Sequence, residues 1–132
     1  MKKNLLFLMV DQMHGQVLEE NNLCLTPNLD KLAEQGVKFN RAHTANPVCS
    51  PARASIMTGL LPHNHGVTTV THTVDEDQSN LRTEKEHWAQ RLRDDGYKTG
   101  YFGKWHVERS NKLSEFGWDS YLLQDGESSE YI

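Results

Sequence analysis

The chain has 132 residues, 36% of them hydrophobic, with 18 acidic and 14 basic side chains and a formal charge of −4 at pH 7. This is enough apolar material for the core of one ordinary domain. The sequence lacks the lysine or arginine block that would neutralise a phosphate backbone, so nucleic acid is not an expected partner. No apolar run has the length of a membrane span either.

The start, Met1-Lys2-Lys3 followed by apolar residues from Leu5 to Val10, is interrupted by Asp11 and has no small-residue cleavage site after it. It therefore reads as a buried strand of a cytoplasmic protein and not as a signal peptide. Because the apolar run over 4–10 is continuous and does not alternate, it predicts a strand covered on both faces, as in a parallel sheet. Thr26-Pro27 predicts a helix start, with threonine as N-cap, proline at the first helical position and Asp30 in the first turn. Leu29, Leu32 and Ala33 would form its apolar face and Gly36 its stop. A short strand is expected over 37–42.

Residues 44–51 are small, polar and proline-punctuated, which predicts a loop, whereas 52–60 has helical composition closed by Gly59 and Pro62. Cys49 then lies just ahead of a helix N-terminus. The threonine- and histidine-rich stretch 63–80 reads as mostly irregular. Thr83-Glu84-Lys85-Glu86 is a capping-box pattern that opens a helix through Trp88, Ala89 and Leu92 to Gly96, and 98–102 reads as a further strand. This order predicts an α/β fold with helices on both faces of a largely parallel sheet. The polar residues 125–132 bring no closing element, so 1–132 reads as the N-terminal part of a larger domain, apparently truncated at its C-terminus.

In open α/β sheets ligands bind beyond the carboxyl ends of the strands. Asp11, Cys49, and Lys104 with His106 are all expected there. A thiol ahead of a helix N-terminus, with Arg53 one turn onward, has an anion-binding environment of N–H groups and guanidinium. A thiolate phosphatase cradle, however, places five residues between cysteine and arginine, and here three intervene. Taken alone, Cys49 is a small buried hydrophobe by default, as is Cys24. Two cysteines outside any C-x-x-C pair do not make a disulfide scaffold or a zinc ribbon. His63, His65 and His72 lack the helix spacing of a zinc site and read as structural, and Trp88 and Trp118 read as packing.

Cys49-Ser50-Pro51-Ala52-Arg53, continuing to Thr58-Gly59, closely resembles the sulfatase signature C-x-P-x-R followed by a small-residue helix and T-G. Gly96-Tyr97-Lys98-Thr99-Gly100-Tyr101-Phe102-Gly103-Lys104-Trp105-His106 resembles the sulfatase segment G-Y-x-T-x-x-x-G-K-x-H. Leu5 to Asp11 with Gln12 resembles the opening strand of that family and its metal-binding acidic pair, with glutamine at the second position. That Asp-Gln variant resembles the choline sulfatase and phosphonate monoester hydrolase branches of the alkaline phosphatase-like superfamily.

The resemblance implies that Cys49 is oxidised to formylglycine by a maturation enzyme and that its hydrate attacks a small-molecule sulfate ester. Arg53, Lys104 and His106 would be catalytic. Asp11, Gln12 and the modified Cys49 would bind a divalent metal, calcium first, with manganese or magnesium as alternatives. A phosphonate or phosphate ester is the alternative substrate, since the same cationic groups stabilise either tetrahedral anion's transition state. A non-catalytic truncated fragment is the alternative outside enzymes.

Overall fold

The computed structural model describes residues 2–19, 21 and 23–124. The chain divides into two compact units, Met1–Ala42 and His43–Ile132. The polar residues 125–132 lie outside the described residues.

In Met1–Ala42 the sequence signals at the ends of the first helix mark its boundaries. Helix α1 runs Pro27–Gln35 between Thr26 and Gly36. The threonine works differently from a standard cap: its hydroxyl donates to Asp30 Oδ1 at 2.9 Å instead of accepting from a backbone N–H. None of the α1 residues is buried, and Leu32 of the expected apolar face is 61% exposed. The strands expected over 4–10 and 37–42 do not form, because the sheet of the described residues contains neither. An apolar run records that a segment needs cover but does not supply it. A doubly buried parallel strand needs a ladder partner and helices on its faces, and Leu6 and Val37 stand 81% and 79% exposed.

In His43–Ile132, helix α2 spans Cys49–Thr58 with Val48 as N-cap. It starts three residues before the expected Ala52, which makes Cys49 its first residue. Pro51 had suggested loop, but proline is tolerated in a first turn because the N–H it lacks would have no intrahelical acceptor there. Gly59 closes α2 in a left-handed conformation, its N–H on the Ser55 carbonyl at 2.8 Å. Helix α3, Pro62–His65, then ends at Gly66 (φ 90). A Cβ at Gly66 would lie 2.2 Å from the Asn80 carbonyl oxygen, so only glycine lets the chain pass there and lets Arg82 N–H reach the His65 carbonyl at 2.8 Å.

Helix α4 spans Trp88–Asp94 and opens at His87, four residues after the expected Thr83. The acceptor is Gln90, whose Oε1 takes the His87 N–H at 2.7 Å. Burial moves the start: His87 is 0% exposed and its ring stacks on Phe116 at 4.6 Å, while 83–86 stays in a surface turn. The far end follows the sequence. Gly96 and Tyr97 donate back to the carbonyls of Arg93 and Leu92 at 2.8 and 3.0 Å, a Schellman closure.

Strand β1, Gly100–Gly103, begins two residues after the expected 98 and pairs in parallel with β2, Ser120–Leu123, Tyr101 opposite Tyr121. β2 was not expected from the sequence. Thr99 sets the entry of the pair: its hydroxyl donates to the Gly117 carbonyl (2.6 Å) and accepts from Asp119 N–H (2.9 Å), while Asp119 Oδ2 takes the Thr99 N–H (3.0 Å). A parallel pair requires a crossover, and here it is 104–119, with a 3₁₀ turn at Leu113–Phe116. Beneath it the core is aromatic. Tyr101 meets Trp105 and Trp118 edge-on at 5.3 and 5.1 Å, Trp88 meets Trp118 at 5.2 Å, and Met57, Val67, Val107 and Leu113 are buried. The fold is α/β with a parallel sheet, and Trp88 and Trp118 pack as expected.

Candidate anion-binding active site

Lys104 and His106 follow β1 directly, at its carboxyl end. Both line a cleft of about 620 Å³, together with the largely buried Trp105 between them, while Val107 beyond them is fully buried. His106 holds a left-handed backbone (φ 52), which costs a non-glycine residue about 1 kcal/mol or more. The buried neighbours on either side hold that conformation in place.

Arg53 lies on the buried face of α2 at 5% exposure, and its Nη1 donates to the Lys104 carbonyl at 2.6 Å. The same carbonyl accepts the Tyr101 hydroxyl at 2.6 Å. Burial pushes the Tyr101 phenol above its ordinary pKa, with Arg53 opposing the shift, so the hydroxyl stays a donor. Arg53, expected to face the anion, is not among the residues that line this cleft, and its Nη1 instead fixes the backbone of the lysine. Tyr101 was missed: it stands inside the second motif, but only the three-dimensional contact gives it a role.

The cleft is lined by His72, Lys104, His106, Asn111 and Gln124 over Trp105 and Leu123. Among the described residues its charged and polar groups include no carboxylate, which suits an anion. His72, read as structural from sequence, stacks flat on His106 with ring centroids 5.1 Å apart and an interplanar angle of 11°. His65 is structural as expected: Nδ1 accepts the Val67 N–H at 3.1 Å, which leaves Nε2–H to donate to Ser55 Oγ at 3.0 Å. Its burial lowers its pKa and keeps the ring neutral.

Cys49 is a half-buried free thiol and does not line the cleft. Its neighbour Ser50 is fully buried and accepts the Thr71 N–H on Oγ at 3.4 Å, next to His72. The start of α2 is thereby tied to one wall of the cleft. Asp11 and Gln12 belong to the other unit, Met1–Ala42, where Gln12 takes a left-handed backbone at φ 60. Among the described residues no group of three or more His, Cys, Asp or Glu could hold a metal ion. No helix among them is long and apolar enough to cross a membrane.

Comparison with known proteins places this geometry in a family. The chain is 30% identical over 132 residues to an N-acetylglucosamine-6-O-sulfatase of Bacteroides thetaiotaomicron, covering 98% of this chain and 22% of that protein. It is 32% identical to a choline-sulfatase of Rhizobium meliloti, covering 98% of this chain and 27% of that one. The crystal structure of Ps i-CgsB in complex with k-i-k-neocarrahexaose superposes with a TM-score of 0.65 at 32% identity, covering 74% of this chain and 22% of that one. The chain therefore spans about a quarter of the length of the two curated relatives. The sulfatase family profile matches residues 3–131, nearly the whole sequence, and the chain belongs to the sulfatase family.

Proposed function

We propose that this protein hydrolyses sulfate esters of small molecules, with Cys49 oxidised to formylglycine by a maturation enzyme. The observation that carries the reading is the hydrogen bond from Arg53 to the Lys104 carbonyl. It joins the helix that Cys49 begins to the loop that presents Lys104 and His106. Family membership and the match to named sulfatases over 98% of the chain support the same reaction class.

A formylglycine hydrate supplies two hydroxyls, one to attack sulfur and one whose deprotonation later expels sulfate. The chain's own residues would do the rest. Lys104 would neutralise charge on the non-bridging oxygens as it builds in the transition state. His106 would hydrogen-bond a hydroxyl at position 49 and hold its proton. Arg53 would keep the Lys104 backbone in place and add positive potential in a partly dry site.

Asp11 and Gln12, with the modified Cys49, would hold a divalent metal, which would supply Lewis-acid stabilisation of an attacking oxygen. Carboxylate and amide oxygens are donors that calcium takes, so the residues fit in kind. They supply only part of the roughly six to eight oxygens calcium requires.

The test is mass spectrometry of the tryptic peptide 42–53 after co-expression with a formylglycine-generating enzyme. The proposal expects the mass of an aldehyde at Cys49. A peptide that stays entirely thiol under conditions that convert a control sulfatase would sink the mechanism.

A further inference from the structure

Arg109 lies three residues beyond His106 and faces the loop that carries His72. Its guanidinium reaches the carbonyls of Thr71, Val74 (3.1 Å), Asp75 (3.0 Å), Glu76 (2.9 Å) and Gln78 (3.4 Å), and Asn80 Oδ1 (2.8 Å). One side chain thus gathers backbone from both ends of 71–80. Ser79 closes the loop's neck: its Oγ accepts from the N–H of Thr68 and Thr69 at 3.0 and 2.9 Å and donates to the Thr69 carbonyl at 2.7 Å. The buried Glu108 shapes the opposite segment by accepting from Trp105 Nε1 and Asn111 N–H, both at 3.0 Å. These bonds converge on one outcome, the flat stacking of His72 on His106 at the cleft that Lys104 also lines.

A loop that only needed to close over the core would not need to crowd its carbonyls around the four N–H groups of the two Nη atoms of one guanidinium to set an exposed imidazole against a site residue. Stacking leaves the ring edge of His72 clear of the His106 face, so a ring N–H can donate to a ligand. We propose that His72 binds the anionic group of the ligand in this cleft, and that Arg109 is the positioning residue that delivers it. The proposal rests on the sulfate-ester reading of the site and adds to it a binding residue on a loop outside both sequence motifs.

Inorganic sulfate is the probe, titrated into ¹⁵N-histidine-labelled protein at constant ionic strength against chloride. In the wild type the ring signals of His72 and His106 are expected to follow one saturable curve. His72→Phe keeps a flat ring on His106 and removes the N–H donor, and sulfate Kd is expected to rise about tenfold, the worth of one hydrogen bond to a charged group. Arg109→Lys should weaken sulfate to a similar degree and speed amide exchange over 71–80. It should add little to His72→Phe in the double variant, because both act through the same group.

Wild-type affinity in His72→Phe would overturn the proposal and leave the sulfatase reading intact. So would an Arg109→Lys loss that adds in full to that of His72→Phe. Absence of saturable sulfate binding in the wild type would overturn both readings, and the aldehyde assay at Cys49 would then decide separately whether maturation occurs.

Discussion

The two units differ in what their apolar side chains meet, and the chemistry differs with them. In His43–Ile132, Ala54, Met57, Val67, Val107 and Leu113 are at most 1% exposed. In Met1–Ala42, Leu6, Leu23, Val37 and Phe39 stand 77–98% exposed. The motif residues of the second unit are held by other elements: the Lys104 carbonyl by Arg53 and Tyr101, the loop of His72 by Arg109. In the first unit, Asp11 and Gln12 follow an apolar segment that has no ladder partner among the described residues. A motif states which chemistry is intended, but a site arises where distant residues fix its backbone.

The sharpest way to break this contrast is to cut equivalent side chains in both units. Leu113→Ala, at a fully buried position, is expected to cost about 2–5 kcal/mol in a denaturant melt. Leu32→Ala, at 61% exposure, should stay within about 0.5 kcal/mol. Equal losses would mean that the apolar surface of the first unit is covered in solution. Next in size, Gly66→Ala would push a methyl against the Asn80 carbonyl in a left-handed backbone and should cost about 3 kcal/mol, seen as a lowered Tm.

Acid should act on the second unit through His87. Burial lowers its pKa from 6.5 to about 4, with Glu108 opposing. The unfolded chain therefore binds the proton first, and stability is lost as pH falls from about 6.5 toward 4, by about 2–3 kcal/mol in all. His87→Phe, between Phe116 and Trp105, should flatten that slope in urea melts taken across the range. A slope unchanged by the substitution would assign acid sensitivity elsewhere. The smallest effect is expected from Tyr101→Phe, which leaves Arg53 on the Lys104 carbonyl: about 1 kcal/mol of stability and a severalfold fall in aryl sulfate turnover.

The helix ends of both units could be read from local signals, and the misses have physical causes. Pro27, Gly36, Gly59 and Gly96 mark helix ends because their backbone limits act locally. The start of α4 could not be read this way, since Thr83-x-x-Glu86 makes a sound capping box and burial of His87 overrides it. β2 has four residues and exists only through its register with β1. Residues 4–10 show the converse, a strand pattern that joins no sheet among the described residues. Cys49, Arg53, Lys104 and His106 stand out in the sequence through motif resemblance alone, and of these Lys104 and His106 line the cleft. Tyr101, His72 and Arg109 were not, because the acceptors of Arg109 lie 29 to 38 residues back along the chain and no local pattern announces them.

The central claim is that Cys49 is the precursor of the nucleophile in a sulfate-ester hydrolase. It is tested most directly by measuring aryl sulfate turnover in preparations whose formylglycine fraction, read from peptide 42–53, has been varied by limiting the maturation enzyme. The account predicts a rate proportional to that fraction, reaching zero with it and in Cys49→Ala. Turnover that persists in Cys49→Ala, or that is independent of the formylglycine fraction, would contradict it.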